Sequence, residues 1–163
     1  MSAVLQSTEA ETQEWQLRCD MAAVFRIAAR FGWNEQIGNH NSVMLRGDRP
    51  RFLINPRGYL FQELTASSLI VCDLDGRVRG KGELRKVAYQ IHARIHVQNP
   101  HATCILHVHP HWLTALSTGS PLRKFPESSR RNFTGPWGER IDARMHLDAW
   151  RRRLDCEEPD YAT

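Results

Sequence analysis

The sequence contains no Cys-x-x-Cys pair, and its four cysteines, Cys19, Cys72, Cys104 and Cys156, stand far apart. That spacing excludes a disulfide framework and a thiolate zinc site, and it reads as the reduced thiols of a cytoplasmic protein. No apolar run approaches the roughly 20 residues of a membrane span, so no membrane partner is expected. Met1 to Gln13 is polar and acidic, without the apolar centre of a signal peptide, and is expected to be a disordered lead. Nor does the pI of about 9.1 come from one Lys/Arg block; it comes from arginines scattered along the chain. A net charge of +4 fits a small anionic substrate as well as nucleic acid. With 163 residues, 41% hydrophobic and 25% charged, the chain has the length and composition of one soluble domain.

What stands out is His107-Val108-His109-Pro110, closing the apolar run Thr103 to Leu106. On a strand, side chains alternate faces, so His107 and His109 would project from one side and could converge on one divalent ion. Pro110 lacks an amide N–H and tends to end the ladder, leaving the pair at a strand end, where sites gather. A lone strand histidine is ordinarily a half-buried polar residue. Two on one face, with an acidic residue upstream, point to a metal.

Ahead of the pair, Leu17, Met21, Val24, Ala28 and Phe31 repeat at helical spacing up to Gly32. Gly38 to Ser42 is a loop suited to a turn or an anion. Val43–Arg46 and Arg51–Asn55 read as short strands joined through Gly47-Asp48-Arg49-Pro50, and Pro56-Arg57-Gly58 as a turn presenting a cation. Ser68–Asp73 is a strand that turns at Asp75-Gly76 into Arg77-Val78-Arg79. Strands in hairpin succession predict an antiparallel sheet. Gly80 to Glu83 is expected to open a second helix, with Leu84, Val87, Ala88, Ile91 and Ile95 inward and Glu83 at its N-terminus beside free amides. His92 and His96 share that helix at i, i+4 without the preceding acid of zinc-protease helices, and are read as solvent-facing or packing. His111 to Leu116 is expected to start a third helix.

With Gly38-Asn39, Asn55-Pro56-Arg57-Gly58, Val71-Cys72-Asp73-Leu74-Asp75-Gly76, Glu83 and His107-Val108-His109-Pro110 in this order, the chain resembles the class II aldolase/adducin family from about Leu17 to Leu116. The resemblance implies an α/β protein with a three-layer α/β/α fold around a mainly antiparallel sheet, truncated at its C-terminus, and homotetramers. It implies a lyase acting by aldol cleavage or decarboxylation on a small oxygenated, anionic substrate, with zinc or another divalent metal as cofactor. By the same resemblance His107 and His109 are metal ligands, and Glu83 transfers a proton or adds a ligand. Asn39 falls at a phosphate-loop position and Arg57-Gly58 at a second substrate-contacting turn. Lys81-Gly82 replace the serine pair of the sugar-phosphate aldolases; a glycine amide and a lysine can still hold an anion, and the expectation turns from a sugar phosphate towards a carboxylate substrate or no phosphate at all.

The family's third metal histidine, in an Asn-His-Gly segment, has no counterpart, leaving His96 or His111 as stand-ins. From Ser117 the composition breaks: no valine occurs, Ile141 is the sole β-branched aliphatic residue, His146 the sole histidine, and arginines cluster at Arg130-Arg131 and Arg151-Arg152-Arg153. At most a helix over Gly138–Leu154 can be drawn, with Leu147, Trp150 and Leu154 on one side. The expected organisation is a lead at 1–13, the aldolase/adducin-type domain at 14–116 and a divergent tail at 117–163, read first as out of frame and otherwise as a replacement segment. A nucleic-acid arm is disfavoured because acidic residues nearly balance the basic ones. The alternative to an inactive or active lyase is a non-catalytic, adducin-like interaction module. Loss of the C-terminal part predicts exposed apolar surface and self-association.

Overall fold

The structure, a computed structural model, describes residues 2–111, 113–114 and 143–163. Helix α1 runs Ser2–Arg30. It is followed by strands β1 (His40–Leu45), β2 (Arg51–Ile54), β3 (Ile70–Asp73) and β4 (Val78–Arg79), helix α2 (Lys86–Gln98), strand β5 (Cys104–His107) and helix α3 (Ala143–Glu157). The strands lie in the order β4-β3-β2-β1-β5, and every neighbouring pair is antiparallel. No helix among the described residues is long and apolar enough to cross a membrane.

Alternation along the strands sends their side chains to two different helices. Val43, Leu45, Leu53, Leu69 and Val71 meet Met21, Phe25 and Ala28 of α1. Phe52, Ile54, Ile70 and Cys72 face the other way, onto Ala88 and Ala93 of α2. The sheet is therefore covered on both faces, the three-layer α/β/α arrangement expected from the sequence. A further contact lies outside it, where Ala22 and Ala23 of α1 pack on Leu154 of α3 and on Tyr161.

Three expectations are corrected. Helix α1 takes in residues 2–13, read as a disordered lead; that stretch is rich in Ala, Glu and Gln, which favour helix. Glu83 is not at a helix N-terminus, because α2 begins at Lys86. Gly80 and Gly82 adopt φ of +125° and +142°, and the Glu83 carbonyl accepts the Arg57 N–H at 2.8 Å, so this stretch is extended against the Pro56-Arg57-Gly58 turn. A Cβ on Gly82 would fall 2.7 Å from Pro56 Cβ, which explains the glycine. Finally, the inward face of α2 is Ala88, His92, Ala93 and His96, whereas Val87 and Ile91 are exposed.

Helical turns begin after Pro110, where Thr114 N–H donates to the Pro110 carbonyl. The helix expected over 138–154 is observed from Ala143 to Glu157, with Leu154 fully buried. The rest of the divergent stretch, 117–142, and the side chains of His146 and Leu147 lie outside the described residues.

Candidate functional site

β1 and β5 pair with His40 opposite His107 and Ser42 opposite Ile105. Both His40 and Ser42 face α2, so the polar end of the sheet meets the histidine stripe of that helix. His40 Nδ1 lies 2.8 Å from His92 Nε2, and Ser42 Oγ lies 2.5 Å from His92 Nδ1 and 2.9 Å from His96 Nε2. His96 Nδ1 ends the series 2.9 Å from the Ala102 carbonyl.

The protons in this series have one consistent order. A carbonyl only accepts, so His96 carries its proton on Nδ1 and leaves Nε2 bare. Ser42 therefore donates its hydroxyl to His96 and accepts from His92 Nδ1–H. His92 Nε2 is then bare and accepts from His40 Nδ1–H. The order holds while the rings are neutral. Burial, then the neighbouring His40, His96 and His107, push His92 down to about 3. Burial, then His107 and Arg85, push His40 down to about 4. Burial also lowers His96.

At the strand end the Nε2 atoms of His107 and His109 are 3.2 Å apart. Ligands at about 2.0–2.1 Å on one tetrahedral ion lie roughly 3.3 Å from each other, so the pair fits two positions of a zinc-like ion. Glu35 Oε2 lies 2.7 Å from His109 Nδ1. A carboxylate accepts, so His109 keeps its proton on Nδ1 and a free lone pair on Nε2. Burial, then His109 and Arg85, lower His107 and keep it neutral, the form that binds metal. Among the described residues no cluster of three His, Cys, Asp or Glu side chains could hold an ion. His96, one of the two stand-ins, is committed to Ser42 and Ala102.

Asn39 is buried, and both ends of its amide bind protein: Oδ1 accepts the Glu35 N–H and Nδ2 donates to the His107 carbonyl at 3.2 Å. It clamps the loop to the strand end. Arg57 lines a cavity of about 540 Å³ together with Glu35, Gly38, Arg85 and Lys86. Arg85 also fixes the loop by donating to the Gly38 carbonyl at 2.9 Å. Gly58 forms the turn next to Arg57 with φ +90°, and Lys81 and Gly82 are exposed outside the cavity lining. The Glu83 side chain is 81% exposed, with Oε2 3.8 Å from Arg57 Nη1.

The sequence reading missed Glu35, His40, Ser42 and Arg85. A serine and a histidine two apart on one strand, facing histidines at i, i+4 on a helix, was the available signal. The pairing that joins them is visible only in the fold.

The profile of the Class II Aldolase and Adducin N-terminal domain family matches residues 19–156. A Caulobacter vibrioides protein bearing an aldolase class 2 name is 40% identical over 98 residues, 59% of this chain and 38% of its own. Rat (Rattus norvegicus) alpha-adducin is 37% identical over 97 residues, 57% of this chain and 13% of its own. The crystal structure of an aldolase II superfamily protein from Pseudomonas syringae superposes with a TM-score of 0.65 at 31% identity, over 87% of this chain and 59% of that one. This chain thus spans less than two thirds of each of these proteins.

Proposed function

The chain belongs to the class II aldolase and adducin family, and on that premise we propose that it is a divalent-metal-dependent carbon–carbon lyase domain for a small, oxygenated, anionic substrate. The observation that carries this reading is the 3.2 Å approach of His107 Nε2 to His109 Nε2, with Glu35 on the far side of His109. A bound zinc-like ion supplies Lewis-acid polarisation of substrate oxygens. The protein's own residues supply the rest. Arg57, Arg85 and Lys86 outnumber Glu35 in the adjoining cavity and suit a carboxylate or phosphate. Glu83, beside Arg57, is the proposed proton-transferring group. Asn39 supports the site from behind, and Gly58, Lys81 and Gly82 are proposed as outer contacts to the substrate. A catalytic zinc normally has three protein ligands, so the third is proposed to come from a second subunit of a homo-oligomer.

Metal content per chain, measured on protein purified without chelators, tests this reading. About one ion per chain is expected, lost in His107→Ala. Aldol cleavage or decarboxylation of small hydroxy acids and sugar phosphates should then be detectable and chelator-sensitive. Absence of metal from both proteins would favour the second reading, a non-catalytic interaction module, as the alpha-adducin relationship allows. The exposure of Glu83 and the two-ligand centre among the described residues support that alternative.

A further inference from the structure

His109 is aimed by the 33–39 loop at two points. Its N–H donates to the Trp33 carbonyl at 2.6 Å, and its Nδ1 meets Glu35 Oε2 at 2.7 Å. We propose that Glu35 is the positioning residue of the histidine pair: its carboxylate holds the His109 proton on Nδ1 and turns the Nε2 lone pair towards the ion. This role rests on the metal reading of the pair.

The backbone of Glu35 is fixed without help from His109. Its N–H donates to Asn39 Oδ1, and its carbonyl accepts the Gly38 N–H at 2.8 Å. Between them Gln36 adopts φ +46°, a left-handed conformation that a non-glycine residue rarely takes and that clusters at functional sites. A Cβ on Gly38 would stand 3.0 Å from the Glu35 carbonyl oxygen, so the tightness of this turn depends on glycine there. The choice of partner is equally specific. Arg57, Arg85 and Lys86 line the same cavity as Glu35, yet among the described residues the carboxylate's one ion-pair partner is His109. An ordinary ion pair 71% exposed on the carboxylate side contributes little to stability and accounts for neither the strained turn nor this choice.

The two ligands differ in preparation. His107 Nδ1 is buried without a hydrogen-bond partner among the described residues. In the metal-free protein its proton sits on Nε2 and is donated to the bare Nε2 of His109. Metal uptake therefore requires His107 to change tautomer, while His109 already has the binding form.

The test uses the full chain stripped of metal. Histidine ring ¹⁵N spectra at neutral pH report tautomers, and zinc affinity is read by competition with a chromophoric chelator. The parent protein should show His109 as a single Nδ1–H tautomer, and zinc should switch His107 alone. Glu35→Ala should give a mixture at His109 and weaken zinc binding roughly 10- to 100-fold. Glu35→Gln, which keeps an acceptor, should fall between. Thermal melting should not move, because the side chain is mostly exposed. Unchanged zinc affinity and tautomer in Glu35→Ala overturns the role of Glu35 alone. A parent protein that takes up no zinc overturns the metal reading and this role with it.

Discussion

Ser42 Oγ is shared by two histidine rings on α2, bridging His92 Nδ1 and His96 Nε2. Ser42 and His92 are fully buried. Removing the hydroxyl leaves a donor on His92 and an acceptor on His96 without partners, each costing about 1–3 kcal/mol. Ser42→Ala is therefore expected to lower unfolding free energy by about 2–4 kcal/mol, read as a shifted urea midpoint at constant slope. A shift within error would show that the rings find other partners. The same burial predicts acid sensitivity. His40 and His92 bind protons at about 4 and 3 when folded, below the ordinary 6.5. As pH falls below about 6.5 the unfolded chain takes up protons that the folded chain refuses, so stability declines down to those lower values. For two groups the slope is on the order of 3 kcal/mol per pH unit. A flat urea midpoint between pH 7 and 5, in chelator-treated protein, would contradict the neutral, ordered series. Little of this was legible in the sequence. His107 and His109 announced themselves by spacing, but His40 and Ser42 sat in a loop-like Gly-Asn-His-Asn-Ser string whose strand character comes from pairing with β2 and β5.

At the scale of elements, the strands and two of their hairpins could be read from alternation and turn residues, and the 17–31 part of α1 from its apolar stripe, whereas the β1–β5 pairing could not. The inward face of α2 could not. Apolar periodicity pointed to Val87 and Ile91, yet the face of β1 against α2 carries His40 and Ser42, so the polar stripe of the helix was the complementary one. In the C-terminal stretch a helix with Leu154 on its apolar side could be drawn, but composition gave no hint of the charged anchors that join Leu154 and Tyr161 in docking it on α1. Arg26, buried in α1, donates to the Leu64 carbonyl at 3.2 Å, Glu158 at 2.9 Å and Asp160 at 3.0 Å. Arg30 holds Glu157 and Glu158, and Arg151 of α3 reaches back to Asp20. Ala66 and Ser67 donate their N–H groups to the carbonyls of Tyr161 and Thr163. Arg26→Ala removes the shared partner of two carboxylates and one carbonyl and is expected to cost about 1–3 kcal/mol, because the guanidinium is buried while Glu158 and Asp160 stay partly and mostly exposed. The midpoint should fall in a single transition. An early, separate transition confined to Trp150 fluorescence would instead mean that the C-terminal segment docks without supporting the core.

Across the whole molecule the two sheet faces divide the work: the α1 side is an apolar core, and the α2 side becomes polar towards the histidines. That division leaves large apolar side chains on the described surface. Phe31 stacks on Trp33 at 5.0 Å and meets Trp150 edge-on at 5.3 Å, and both Phe31 and Trp33 are exposed. Ile37, Leu106 and Leu113 are exposed as well. Clustered aromatic surface of this kind is uncommon on monomers and is removed from water by association. A net charge of only +4 offers weak long-range repulsion between copies. The chain is therefore expected to self-associate, with a sedimentation coefficient that rises with protein concentration. Replacing both Phe31 and Trp33 by serine should weaken association by at least tenfold, since each buried aromatic side chain contributes about 1.5–3 kcal/mol through burial. Salt should act the other way round from an electrostatic interface. Raising sodium sulfate strengthens burial of apolar area, so the parent should associate more tightly. A single monomeric boundary at all concentrations, with or without sulfate, would mean that this aromatic surface is too small or too broken to drive contact.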